Sequence, residues 1–133
     1  GEYDNAISDF DKALEISPVF AEAYNNRGIA YNDKGEFDRA ISDYEKAIEI
    51  NPKFAKAYYN RGNVYKNKGE YDRAISDYNK AIELDPKFAD AYYNRGAAYK
   101  SKGEYDRAIA NYDKALDVNR PQRIKGAKNG GIH

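Results

Sequence analysis

The sequence predicts an all-α fold, built as an array of antiparallel helix pairs. Residues 21–54 recur as residues 55–88 and again as residues 89–122, a strict 34-residue period that is typical of helical repeats. Small and apolar residues within each unit follow steps of three and four, as one buried helical face requires. Short segments that contain Gly or Pro separate these stretches, and such short turns favour antiparallel neighbours.

The period also predicts the organisation of the chain. Residues 1–20 are the second helix of a truncated unit, because GEYD at 1–4 aligns with GEFD at 35–38. Three full units follow at 21–54, 55–88 and 89–121, and residues 122–133 form a basic, glycine-containing C-terminal tail. The chain opens at Gly1 in mid-unit without Met, which indicates a fragment of a longer protein.

Each unit is predicted to contain two helices with one apolar stripe apiece. In the first helix of the first full unit the stripe is Ala21, Tyr24, Gly28 and Tyr31. In the second helix it is Phe37, Ala40, Ile41, Tyr44, Ala47 and Ile48. Gly in a helix interior costs about 1 kcal/mol relative to Ala, so its recurrence together with an Ala in the second helix indicates a close approach of the two helices.

Glycine and proline predict the turns. Gly35, Gly69 and Gly103 lie where a left-handed residue would end each first helix. The dipeptides Ser-Pro at 17–18, Asn-Pro at 51–52 and Asp-Pro at 85–86 separate the units. Each is predicted to supply a capping side chain for the next helix, with the proline in its first turn.

Composition limits the possible partners. Lys+Arg and Asp+Glu both number 22, so nucleic acid and membrane surfaces are not expected as partners. The charges are unevenly placed, with one basic and five acidic residues over 1–20 but seven basic and five acidic over 55–88. This gradient fits either a solvated helical surface or attraction between opposite ends. No apolar run approaches membrane-spanning length, and no signal peptide is visible.

The sequence offers no recognisable catalytic site. It has no cysteine, which excludes thiol catalysis, disulfides and Cys-based metal sites. Its only histidine is His133, and it contains no P-loop. Repeated carboxylates such as Glu36, Asp38 and Asp43 are interpreted as a solvated face. A non-enzymatic protein with no cofactor and no metal is therefore expected.

The repeat resembles the tetratricopeptide repeat (TPR) family, whose signature is W-x2-L-G-x2-Y, then A-x3-F, then P. The first full unit matches it at Tyr24, Gly28, Tyr31, Ala40, Tyr44 and Pro52. The second matches at Tyr58, Gly62, Tyr65, Ala74, Tyr78 and Pro86, and the third at Tyr92, Gly96, Tyr99, Ala108 and Tyr112. Tyr replaces the family's Trp, and Arg27, Arg61 and Arg95 replace its usual Leu.

The resemblance implies a right-handed superhelical array, an α-solenoid, whose first helices line a concave groove that holds an extended peptide. A protein-protein interaction scaffold or adaptor with a protein or peptide ligand is therefore the expected function. The near-identical units fit either recent duplication or a designed, consensus-like TPR array.

The residues that differ between units gather on one face of the first helices, and the resemblance assigns that face to peptide binding. They are Glu22, Asn25, Ile29, Asn32 and Asp33 in the first unit, Lys56, Tyr59, Asn63, Lys66 and Asn67 in the second, and Asp90, Tyr93, Ala97, Lys100 and Ser101 in the third. The tyrosines are expected to be aromatic anchors, and the lysines to select acidic or polar partners. Drift at exposed positions is the alternative explanation of this variation.

A constant column of Asn26, Asn60 and Asn94 runs beside the varied positions. An amide offers a donor and an acceptor together, which matches a peptide bond. The resemblance implies that these amides hold the ligand backbone, and the alternative is a structural hydrogen bond to an adjacent helix. A clamp for a C-terminal carboxylate is not expected, because only Asn60 matches the residues that such clamps use.

Self-assembly is the alternative function. Ile7, Phe10 and Leu14 of the half unit would expose an apolar stripe unless another surface covers it. Copies of the chain could then form a homo-oligomer through the half repeat and the ends. RNA binding is a third hypothesis, which the neutral net charge disfavours.

Overall fold

The computed structural model of the chain describes residues 1–120, which form seven helices and no strand. In chain order these are α1 (Glu2–Ile16), α2 (Ala21–Asp33), α3 (Phe37–Ile50), α4 (Ala55–Asn67), α5 (Tyr71–Leu84), α6 (Ala89–Ser101) and α7 (Tyr105–Asn119). The predicted all-α array of helix pairs is confirmed. The predicted C-terminal tail, residues 122–133, lies outside the described residues.

The helices stack in chain order, and each packs against the next. The pairs α2–α3, α4–α5 and α6–α7 are the three full units, and α1 is the second helix of the half unit. First helices also contact one another across units, α2 with α4 and α4 with α6. These contacts place α2, α4 and α6 side by side. No helix within residues 1–120 is long and apolar enough to cross a membrane.

The predicted close approach of the two helices in a unit is confirmed. A Cβ added to Gly28 would lie 2.7 Å from Cε1 of Tyr44, and one added to Gly62 would lie 2.8 Å from Cε1 of Tyr78. No ordinary side chain fits at that distance. The tyrosine rings, 1% and 0% exposed, therefore fill the space above the glycines. Ala74, also fully buried, lets the backbones of α4 and α5 come close.

The turns inside the units follow the prediction. The backbone φ angle is positive at Gly35, Gly69 and Gly103, at 83°, 79° and 82°. At the first of these, the Gly35 amide donates to the Asn32 carbonyl at 2.9 Å, and the Glu36 amide donates to the Tyr31 carbonyl at 2.8 Å. This is a Schellman motif, which satisfies the last carbonyls of α2 and reverses the chain.

The turns between units differ from the prediction. Asn51 ends α3, because its amide still donates to the Ala47 carbonyl at 2.9 Å. Its side-chain oxygen accepts from the Lys53 amide at 3.2 Å, which is the Asx-turn pattern. Helix α4 begins later, at Ala55, and its N-cap residue Phe54 provides no side-chain hydrogen bond. The Asn-Pro pair therefore forms the turn itself and does not cap the following helix.

Two of the three arginines that replace the family's leucine, Arg27 and Arg61, are paired with buried aspartates. Arg27 Nε donates to Asp43 Oδ2 at 2.9 Å, and Nη2 donates to Oδ1 at 2.6 Å. Asp43 is 5% exposed, so its interpretation as part of a solvated face is wrong. Arg61 and Asp77 repeat this pair in the second unit. In the first two units, an ion pair between residues sixteen positions apart in the sequence thus joins the first helix to the second.

Candidate peptide-binding groove

A groove of about 700 Å³ runs along the amino-terminal ends of the first helices. All three full units contribute to it, because the contacts of α2 with α4 and of α4 with α6 bring these helix ends together. Of the predicted binding residues it contains Glu22, Asn25, Asn26, Lys56 and Asp90. We call this feature the inter-unit groove.

Most of the remaining groove lining comes from the turns between units, whose residues were not among the predicted binding residues. Lys53 and Phe54 come from the first of these turns, and Lys87 and Phe88 from the second. Their signal in the sequence is the tripeptide Pro-Lys-Phe, repeated at 52–54 and 86–88. Only the overlapping dipeptides Asn-Pro at 51–52 and Asp-Pro at 85–86 were interpreted, as separators between units. The lysine and phenylalanine that recur beside a proline could have identified these turns as part of a binding surface.

The groove carries charges of both signs. Basic side chains come from Lys53, Lys56 and Lys87. Acidic side chains come from Glu22, Asp85 and Asp90. The first backbone amides of α4 and α6 also face this end of the helices. A mixed surface with amide and aromatic groups suits a chain with varied side chains better than a polyanion.

The asparagine column forms hydrogen bonds between neighbouring first helices. Asn60 Nδ2 on α4 donates to Asn25 Oδ1 on α2 at 3.0 Å. Asn25 is only 5% exposed, so this bond satisfies a buried acceptor. The alternative interpretation of the column, a structural hydrogen bond to an adjacent helix, therefore describes Asn60.

Between α4 and α6, one unit further along the chain, the hydrogen bonds form a larger network. Asn94 Nδ2 donates to the Tyr59 hydroxyl at 2.7 Å and to Asn63 Oδ1 at 3.1 Å, and Asn94 Oδ1 accepts from Lys66 Nζ at 3.4 Å. Asn63 Oδ1 also accepts from the Tyr78 hydroxyl at 2.5 Å. Burial lowers the pKa of Lys66 and raises the pKa of Tyr59. These predicted binding residues thus hold α4 against α6.

Asn26 differs from the other two members of the column. Its side chain is exposed and makes no hydrogen bond to any residue in the 1–120 range. It lines the inter-unit groove and also a second cavity of about 270 Å³, between α1 and α2, where Ile29, Asp33 and Phe10 lie. Of the three asparagines, Asn26 therefore has its amide available.

The remaining predicted residues lie apart from the groove. Tyr93 is 57% exposed and lines a cavity of about 280 Å³ on the α6–α7 side. Tyr59 instead packs on Phe88, with ring centroids 4.7 Å apart. Asn67 Nδ2 donates to Asn32 Oδ1 at 3.2 Å, between the ends of α4 and α2. Lys100 is exposed in the last turn of α6.

Most of the sequence-predicted residues are thus divided among the groove, the network and the two end cavities, and Asn67 and Lys100 lie in none of them. In the described part of the chain, no group of three or more His, Cys, Asp or Glu residues could hold a metal ion.

Comparison with known families gives matches that together cover all of residues 1–120. A model described as TPR repeat matches residues 1–32, 28–69 and 62–103, and one described as tetratricopeptide repeat matches residues 89–120. A comparison with curated proteins finds no match.

Several solved structures resemble the chain. A crystal structure of MamA is 38% identical with a TM-score of 0.82, over 90% of this chain and 70% of that one. A second crystal structure of MamA protein is 34% identical with a TM-score of 0.81, over 100% of this chain and 69% of that one. Residues 41-end of MamA from Desulfovibrio magneticus RS-1 are 25% identical with a TM-score of 0.82, over 93% and 70%. The solenoid fold is therefore shared with these proteins.

Proposed function

We propose that this chain, which belongs to the tetratricopeptide repeat family, is a non-enzymatic scaffold that holds an extended segment of a partner protein in the inter-unit groove. The family and its fold support a role in protein-protein interaction in general. The observation that carries the finer proposal is the groove itself. It spans three units, and Asn25, Asn26 and Lys56, predicted from the sequence alone, all line it.

The contacts suggest separate roles for the groove residues. The exposed Asn26 amide makes no hydrogen bond within residues 1–120, so it is the proposed contact for the ligand backbone. Lys56, exposed at the start of α4, is the proposed contact for an acidic side chain. Phe54 and Phe88 provide apolar area at the floor. In this proposal Asn60 and Asn94 act indirectly, by fixing the spacing of the first helices.

Peptide display followed by affinity measurement tests the proposal. Random extended peptides are selected on the chain, and the tightest are measured against Lys56→Glu and Asn26→Ala. The matched control is Lys114→Glu, an exposed lysine on α7 that is outside the groove lining. We expect Lys56→Glu to weaken binding about tenfold or more and the control to leave it unchanged. Equal affinity for all three variants would place binding elsewhere.

Self-association through the ends is a second candidate function, favoured by one observation. Ile109 on α7 is 58% exposed, whereas Ile75, its equivalent one unit earlier, is 8% exposed because α6 covers it. Leu116 and Tyr105 on the same helix are 68% and 62% exposed. At the other end, Phe10 lines the cavity between α1 and α2.

Light scattering over a range of concentrations tests this second candidate. We expect the mass to rise with concentration and to fall in Phe10→Asp and Leu116→Asp. Added salt would weaken the association, because the acidic and basic ends attract each other. A monomer at the highest concentration reached would exclude this function.

A further inference from the structure

The three core arginines occupy equivalent places but have different partners. Arg27 is hydrogen bonded to two carboxylates, Asp43 on its own second helix and Asp11 on the preceding one. Arg61 binds Asp77 through two hydrogen bonds. Arg95 contacts no carboxylate in residues 1–120. The third unit is therefore the exception in a repeated arrangement.

The two columns that present carboxylates to Arg27 present amides to Arg95. The column that supplies Asp43 and Asp77 continues as Asn111, whose Oδ1 accepts from Arg95 Nε at 2.6 Å. The column that supplies Asp11 continues as Asn79, whose Oδ1 accepts from Arg95 Nη1 at 2.8 Å. Two neutral oxygens thus replace the anions, and the positive charge of the guanidinium is not compensated there.

Hydrogen bonds from Nε and Nη1 hold the Arg95 guanidinium in place. In the equivalent pairs of the first and second units, Arg27 Nη2 donates to Asp43 at 2.6 Å and Arg61 Nη2 donates to Asp77 at 2.8 Å. Nη2 of Arg95 donates to no protein atom among the described residues. The Tyr92 ring lies 5.4 Å from the guanidinium carbon and steadies it, as Tyr24 and Tyr58 do in the other units.

The orientation of Asn111 is also fixed. Its Nδ2 donates to the Arg107 carbonyl at 2.8 Å, which turns Oδ1 towards Arg95. Burial lowers the pKa of Arg95, whereas the aspartate hydrogen bonds raise the pKa of Arg27 and Arg61. The cation is thus partly desolvated without an anionic partner among residues 1–120. Asn79 beside it is exposed, which leaves a path from solvent.

We propose that Arg95, held between Asn79 and Asn111, is a binding site for one carboxylate group on the third unit. One oxygen of the carboxylate accepts from Arg95 Nη2, as Asp77 Oδ1 does from Arg61 Nη2 in the second unit, while Asn111 keeps its bond to Nε. The carboxylate comes either from a free carboxylate ion or from an acidic side chain of a partner protein. The site is separate from the inter-unit groove, whose lining does not include these residues.

Thermal unfolding in sodium acetate and in sodium chloride at equal ionic strength tests the site. Acetate raises the melting temperature of many proteins by exclusion from their surface, so the readout is the difference between variants. Asn111→Asp is the key variant, because it supplies the missing carboxylate from within the chain. Arg95→Gln removes the cation.

We expect an acetate-specific rise of about 2 °C in the unchanged chain. It should be absent in Asn111→Asp and Arg95→Gln, and Asn111→Asp should itself melt higher in chloride. The proposal would be overturned if acetate raised the melting temperature of all three proteins equally. It would also be overturned if the unchanged chain melted at the same temperature in acetate and in chloride.

Side-chain NMR of the arginines gives a readout that does not depend on stability. During an acetate titration the Arg95 Nε signal should shift and saturate, while those of Arg27 and Arg61 stay in place. A stationary Arg95 signal would overturn the proposal. Hexaglutamate at equal carboxylate concentration distinguishes the source, since saturation at a lower concentration than acetate indicates a protein side chain, and equal saturation indicates a free ion.

Discussion

Arg61 and Asp77 form a two-point ion pair that joins α4 to α5. Nε lies 2.9 Å from Oδ2, and Nη2 lies 2.8 Å from Oδ1. The side chains are 20% and 7% exposed, so water cannot replace either partner fully. Two parallel hydrogen bonds also fix the register of the two helices. Removing either side chain would therefore leave the charge of the other largely buried and unpaired.

Asp77→Ala should destabilise the array by about 2 kcal/mol, because it leaves a largely buried guanidinium unpaired. Asp77→Asn should cost less, since Asn111 already accepts from the equivalent Arg95 Nε at 2.6 Å. Urea unfolding measures both. The double variant Arg61→Leu, Asp77→Leu is the control and should recover most of the loss, because no charge is left buried. A larger loss for Asn than for Ala would contradict this account.

Gly62→Ala should destabilise the chain by about 1–2 kcal/mol, although alanine is the better helix former. The new methyl carbon would lie 2.8 Å from Cε1 of Tyr78 and 3.2 Å from the Ala74 carbonyl oxygen. The ring is fully buried and cannot move away freely. The propensity gain of about 1 kcal/mol offsets only part of the clash.

Combining Gly62→Ala with Tyr78→Leu provides the control for the clash. The smaller side chain removes the close contact, so adding alanine to Tyr78→Leu should be neutral or stabilising. Urea midpoints of the four proteins give the coupling energy. Additive effects of the two substitutions would show that the methyl group does not meet the ring.

Stability should fall steeply above pH 10. Burial raises the pKa of Tyr44 and of Tyr78, whose side chains are 1% and 0% exposed. Because the folded-state pKa is raised, the stability contribution is complete below the unfolded pKa of about 10 and is lost as the pH rises above it. Each tyrosine should contribute a slope of about 1.4 kcal/mol per pH unit in that window.

Urea midpoints between pH 8 and pH 11.5 measure this slope, with Tyr78→Phe as the control. That variant loses the hydrogen bond to Asn63, so it should be less stable at pH 8. It should nevertheless lose stability less steeply above pH 10, because one ionising group is gone. Parallel curves for the two proteins would rule out Tyr78 as a source of the pH dependence.

The repeat made the fold predictable, because the same chemistry occurs at the same place in every unit. Gly62 and Ala74 could be paired from the sequence, since small residues in facing helices let the two backbones come close. The burial of Asp43 could not be predicted in this way. A lone aspartate in a polar helix face resembles any solvated residue, and only the packing of α2 on α3 brings Arg27 within 2.6 Å of it.

The candidate site was only partly predictable for a related reason. The asparagine column had two possible roles, and the distance between neighbouring first helices decides between them. Asn60 reaches Asn25 because α2 and α4 are in contact, whereas Asn26 has no equivalent helix before α2 within residues 1–120. Asparagines at equivalent positions of near-identical units therefore have different hydrogen bonds, which the repeat pattern alone does not predict.

Asn60→Ala should cost about 1–2 kcal/mol, whereas Asn26→Ala should be nearly neutral. The first substitution leaves Asn25 Oδ1 buried without its donor. The second removes an exposed amide with no hydrogen bond to the described residues, and alanine is the better helix former. Urea unfolding of the two variants measures the difference. Since both substitutions are chemically the same, equal losses would mean that the contact between α2 and α4 does not need the Asn60 bond.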